Sequence, residues 1–282
     1  MERVLKLLTA SMAALAFVSF LDSGPKATAQ AVISTGQSFV QGRLLSGTRQ
    51  EDGTRLAGLR LSMESGWKTY WRSPGEAGIP PQFDWSKSSN VAAVEILWPR
   101  PSIFQSFGME TIGYEDRVVL PLRITPKDPG AVMFLALTAN LGVCREMCVL
   151  ERFDVSQIVA PETRPAGARQ IDRAMADVPG SAVDLGLQLA ECQITGQGKK
   201  RRLSMDIHFS RNLDNPQIML EGGAGVWLSR IEAEQNDPGL LTVSADLGLI
   251  DGVSWVNRSD IRTTVLADGF AADVQGCAAP AD

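Results

Sequence analysis

The chemistry-bearing residues of this chain are few, and two of them are close together. In the stretch TANLGVCREMCVLERF (138–153), Cys144 and Cys148 are separated by three residues, and the chain holds two other cysteines, Cys192 and Cys277. A pair at this spacing can be a structural staple, a metal clip or a dithiol that opens and closes. Closing a five-residue ring removes little chain entropy, because the stabilisation from a disulfide grows with loop length. The pair is therefore a poor staple and a better switch, placed on a connecting loop or hairpin end where it can be reached. Arg145 between the cysteines favours the thiolate, the form that attacks disulfides, and Glu146 partly offsets it. Redox activity is the preferred reading. An inert disulfide and a soft-metal site remain alternatives, the latter because Cys144, Met147 and Cys148 together suit copper(I).

Cys192 and Cys277 read differently. A bridge between them closes about 86 residues, for which chain entropy gives roughly 4–5 kcal/mol and ties down the C-terminal tail. We expect this pair to be a structural disulfide. A four-ligand zinc site finds little support, since the one histidine, His208, falls in a strand-like run far along the chain. The sequence carries no G-x-S-x-G or G-x-G-x-x-G motif, so hydrolase and nucleotide-binding classes have no footing. No cofactor and no metal is expected.

The elements that must carry these residues are short strands. Runs at 38–46, 56–64, 91–98, 117–125, 131–139 and 152–160 alternate apolar and polar residues, with Gly, Pro, Asp and Ser clusters between them. This pattern predicts an all-β sandwich over 30–160. The segment 161–180 reads as a linker with a short helix over 168–178, stopped by Pro179. Strand-like runs resume at 182–192, 202–210, 216–222, 226–233, 240–246 and 261–269, predicting a second, smaller β-sandwich-like domain over 181–282.

The chain opens with Arg3 and Lys6, an apolar run at 7–21 and the tripeptide Ala-Thr-Ala at 27–29. That order describes a secretory signal peptide over 1–29, cleaved near Ala29. No later run is long and apolar enough to span a membrane, so the mature chain is expected to be exported to the periplasm without a membrane span. Export also places the cysteines where disulfides persist. The net charge of −5 argues against a nucleic-acid partner, and the lone basic tract GKKRR (198–202) reads as a solvated turn.

Three longer phrases, GWKTYWRSPGEAGIPPQFDW (66–85), WPRPSIFQSFGMETIGYEDRVVLPLRITP (98–126) and LTANLGVCREMCVLERFDV (137–155), occur in order. Together they resemble the N-terminal periplasmic domain of the DsbD family of thiol–disulfide interchange proteins, closest to its ScsB-like branch, over about residues 38–160. The resemblance implies an immunoglobulin-like fold whose cysteine pair, here Cys144 and Cys148, takes electrons from a transmembrane thiol reductant. It then passes them to periplasmic thioredoxin-like or disulfide-bonded proteins. Cytochrome c biogenesis and copper tolerance are processes the family implies. The segment FQSFG (104–108) matches a loop that covers the pair, with Phe107 as the lid residue. Tyr70 and Trp71 also match, as packing residues of a turn. Two departures stand out. Leu150 occupies a place where the family often has Pro, and relatives continue into a transmembrane conduit, so electrons are expected to reach this chain from a separate protein.

Overall fold

In the computed structural model, residues 38–280 are described, except Glu76, Phe107, Asp251, Gly252 and Ser254. The signal segment 1–29 and the expected lid residue Phe107 thus lie outside the described residues.

The first half folds as β1 (Val40–Arg49), β2 (Arg55–Met63), β3 (Lys68–Gly75), β4 (Gln82–Asp84), β5 (Val91–Ile96), β6 (Ser102–Ser106), β7 (Met109–Glu115), β8 (Arg117–Pro126), β9 (Met133–Cys144) and β10 (Cys148–Val159). One sheet has the order β1-β2-β8-β5; the other has the order β10-β9-β3-β7-β6, with β4 also paired to β9. The period-two pattern explains the packing. Leu59 and Leu61 on β2, Leu120, Leu122 and Ile124 on β8, and Leu135, Leu137, Leu141 and Val143 on β9 all point inward and are buried. Trp71 on β3 sits fully buried among them. This is the sandwich expected from the alternation, and the all-β expectation holds throughout.

A helix, α1 (Ala168–Met175), follows. It packs against β8, β1 and β2. Its one buried side chain, Ile171, fits against Gly47 and Gly58, where an added Cβ would approach it to 2.9 and 3.0 Å. The close approach needs glycine at both places.

The second half comprises β11 (Gly180–Ser181), β12 (Leu187–Thr195), β13 (Arg201–Phe209), β14 (Gln217–Glu221), β15 (Val226–Asp237), β16 (Leu240–Leu249), β17 (Arg262–Ala267) and β18 (Phe270–Gln275). Its sheets run β11-β18-β17-β14 and β12-β13-β16-β15. Leu203, Met205, Ile207 and Phe209 of β13 and Leu241, Val243, Ala245 and Leu247 of the neighbouring β16 line a second core. Cys192 on β12 is bonded to Cys277, with Cα atoms 5.6 Å apart. Backbone bonds from Cys192 N to Ala278 O and from Ala278 N to Ala190 O, each 2.8 Å, hold the same tail.

The two halves share apolar packing. Met219 of β14 and Leu266 of β17 belong to the first core. Among the described residues, no helix is long and apolar enough to cross a membrane.

Candidate functional site

Cys144 closes β9 and Cys148 opens β10, and the two are directly opposed in an antiparallel ladder that continues to the Met133–Val159 pair. A three-residue turn, Arg145–Glu146–Met147, joins them. The ladder itself brings the Cα atoms to 4.1 Å, and the sulfurs are bonded. The cysteines therefore occupy strand ends at a hairpin tip.

The pair is asymmetric. Cys144 is 6% exposed, while Cys148 lies in the exposed part of the tip beside Met147 (62%) and Leu150 (75%). One cysteine is packed into the sheet and the other belongs to the exposed tip. Leu150, at the place where the family often has proline, stands opposite Gly142 in the ladder.

The buried sulfur has a polar neighbour. The Tyr70 hydroxyl lies 2.9 Å from Cys144 Sγ and 3.6 Å from Cys148 Sγ. Tyr70 comes from β3, which pairs with β9 at Lys68 and Thr69. Thr69 Oγ1 donates to Gly142 O at 3.0 Å, fastening the two strands beside the tip. The Tyr70 ring rests on Gly142, where a Cβ would come within 3.0 Å of it. Burial pushes the Tyr70 phenol above its ordinary value, so it stays protonated and able to donate. The packing role expected for Tyr70 thus describes its ring alone. The hydroxyl is a site group that sequence reasoning missed, because no local signal links residues 70 and 144.

A small recess beside Cys144 is lined by Lys68, Tyr70, Phe104, Thr111 and Arg145, among others. Lys68 pairs with Glu115 at 3.1 Å and sits 5.0 Å from the Phe104 ring centroid. Phe104, from the segment 104–108 expected to cover the pair, lines this recess. Arg145 Nε donates to Glu146 at 2.6 Å, and its guanidinium lies 5.7 Å from the centroid of Trp67. That hydrogen bond holds the Glu146 carboxyl below its usual range. Arg145 is thus engaged with Glu146 and Trp67. Among the described residues, no group of three or more His, Cys, Asp or Glu side chains is gathered to hold a metal.

Residues 41–160 match the family model described as thiol:disulfide interchange protein DsbD, N-terminal. Over these residues the chain is similar to the N-terminal domain of DsbD. The fold around this DsbD-type domain also has a solved counterpart. The N-terminal periplasmic domain of ScsB from Proteus mirabilis superposes with a TM-score of 0.67 at 24% identity, covering 90% of this chain and 100% of that one. The likeness therefore extends past the DsbD-type domain into the second sandwich. No curated protein matches the chain significantly.

Proposed function

We propose that the DsbD-type domain is a two-electron relay that exchanges the Cys144–Cys148 disulfide with partner proteins in the periplasm. The observation that carries this reading is the asymmetry of the pair: an exposed Cys148 and a buried Cys144 whose sulfur meets the Tyr70 hydroxyl.

Exposure decides which sulfur a partner can reach. In loading, a donor thiolate attacks Cys148 Sγ. The Cys144–Cys148 bond breaks, Cys144 leaves as a thiolate, and a mixed disulfide joins the donor to Cys148. The Tyr70 hydroxyl donates to the departing sulfur. The donor's second thiolate then attacks its own sulfur in the mixed disulfide, leaving the donor oxidised and both cysteines reduced. In discharge, the Cys148 thiolate attacks a substrate disulfide and releases one substrate sulfur as thiolate. Cys144 then attacks Cys148 Sγ, re-forms the internal bond and releases the second substrate thiol. Two electrons move in each half-cycle.

A membrane thiol reductant as donor and thioredoxin-like or disulfide-bonded periplasmic proteins as acceptors fit the family resemblance, and the leader-like N-terminus supports export. Cys192–Cys277, tucked between β12 and the tail, fits a structural bridge.

The test is a redox titration of the mature protein with thiol trapping assigned to each cysteine, together with a Cys144→Ser variant. The Cys144–Cys148 pair should open within about −180 to −270 mV, the span of exchange proteins, and Cys144→Ser should capture partners through Cys148. A pair that stays closed below about −300 mV, with no captured partner, overturns the reading.

A further inference from the structure

The second domain reaches the redox pair through β3. This strand pairs with β9 at Lys68 and Thr69, and its register with β7 slips between Tyr70 and Gly75. The regular ladder therefore loosens at the residue whose hydroxyl meets the sulfurs. What fixes the strand just beyond is side-chain bonding. Trp71 is anchored in the first core. Arg72 stacks with its guanidinium carbon 3.9 Å from the Trp71 centroid. It then extends into the second domain.

There Arg72 Nε donates to both Glu221 oxygens, at 2.9 and 3.2 Å, and Nη2 donates to Thr264 Oγ1 at 2.8 Å. Asp273 Oδ1 lies 3.6 Å from the same Nη2. Arg262 grips Asp273 in turn, through Nε at 2.9 Å to both oxygens and through Nη2. Two cations and two carboxylates thus form a connected chain, Glu221–Arg72–Asp273–Arg262, on the β18-β17-β14 sheet, and the Arg72 side chain is only 10% exposed. The shared apolar contacts through Met219 and Leu266 are non-directional. A guanidinium bonded through Nε to Glu221 and through Nη2 to Thr264 is fixed in direction as well as distance.

We infer that Arg72 is a positioning residue through which the second domain holds β3, aims the Tyr70 hydroxyl at Cys144, and so tunes the opening equilibrium of the redox pair. The inference deepens the exchange reading and takes its biological meaning from it. A correctly aimed hydroxyl favours the reduced state, because it donates to a Cys144 thiolate more strongly than to a disulfide sulfur. Loosening the clamp should therefore make the pair harder to open.

The experiment measures the opening equilibrium of the full mature chain in dithiothreitol buffers. Variants are Arg72→Leu, Tyr70→Phe and the double substitution. Dithiothreitol can open the pair whether or not it serves exchange, so a wild type inert to glutathione would sink the exchange reading and leave this measurement intact. Arg72→Leu should lower the opening constant by up to about tenfold, or about 30 mV. In the Tyr70→Phe background it should add nothing, the signature of two residues acting through one contact. An unchanged constant in folded Arg72→Leu, or shifts that simply add, overturns the inference. Should Arg72→Leu fail to fold, Thr264→Val removes the bond from Arg72 and the longer bond to Asp273 with a side chain of similar shape. It should give a shift of about two- to threefold, again absent without the Tyr70 hydroxyl, and no shift refutes the coupling.

Discussion

Replacing Tyr70 by Phe removes one oxygen and keeps the ring that packs on Gly142. The lost group sits 2.9 Å from Cys144 Sγ, and Tyr70 is only 6% exposed, so water is poorly placed to substitute for it. A hydrogen bond to a charged acceptor contributes about 1.5–3 kcal/mol, and one to a neutral acceptor about 0.5–1.5 kcal/mol. For a two-electron couple, about 1.4 kcal/mol corresponds to 30 mV. If Cys144 is ionised in the reduced protein, the variant's potential should fall by about 30–60 mV. If it is a thiol, the fall should be about 10–30 mV. Equilibration against dithiothreitol with thiol trapping gives the potential. A potential that rises, or moves by less than about 10 mV, would refute the assigned role of the hydroxyl.

Two further outcomes follow from the geometry. The Cys192–Cys277 bridge has a sequence separation of 85 and Cys144–Cys148 a separation of 4, so chain entropy assigns them about 4.6 and about 2 kcal/mol. Urea unfolding of Cys192→Ser/Cys277→Ser should show about twice the loss of Cys144→Ser/Cys148→Ser, and equal losses would reject the division into staple and switch. Desolvation raises the titration of both Tyr70 and Tyr114, the latter strongly. A raised value means the folded state keeps a proton that the unfolded chain releases. Their contribution is thus fully present below the ordinary tyrosine value of about 10 and lost as pH rises through the folded values. The urea midpoint should decline above about pH 10, and less steeply in Tyr114→Phe; an identical decline in that variant would refute the assignment.

The alternating runs made most of the architecture legible. The strands at 56–64 and 117–125 form almost where the pattern puts them, as β2 and β8. The hairpin holding the cysteines was read too short, ending at 139 and resuming at 152. Asn140 and Gly142 interrupt the apolar alternation, yet the ladder runs on through them to the sulfurs. β3 was hidden because KTYWRSPG carries Ser, Pro and Gly, which read as a turn. Its extended form is set by neighbours more than forty residues away, Tyr114 on β7 and Val143 on β9. The strand run at 261–269 concealed a second strand, since Gly269, with φ +65°, turns the chain into β18. The cysteine pair could be read from spacing. Tyr70 and Arg72 could not, because their partners lie 74 and 149 residues further along the chain.

The hairpin that presents the cysteines is paired without interruption from Cys144–Cys148 down to Met133–Val159. Its backbone hydrogen bonds, with the Thr69–Gly142 contact beside the tip, hold the two sulfurs opposed whether or not they are bonded. Oxidised and reduced forms then need hardly differ in backbone, and little reorganisation energy stands between them. An exchange partner of the proposed kind would meet the same surface before and after electrons pass. Its turnover would be limited by how often and how well partners collide with the tip, and governed by the surface chemistry around Met147 and Leu150.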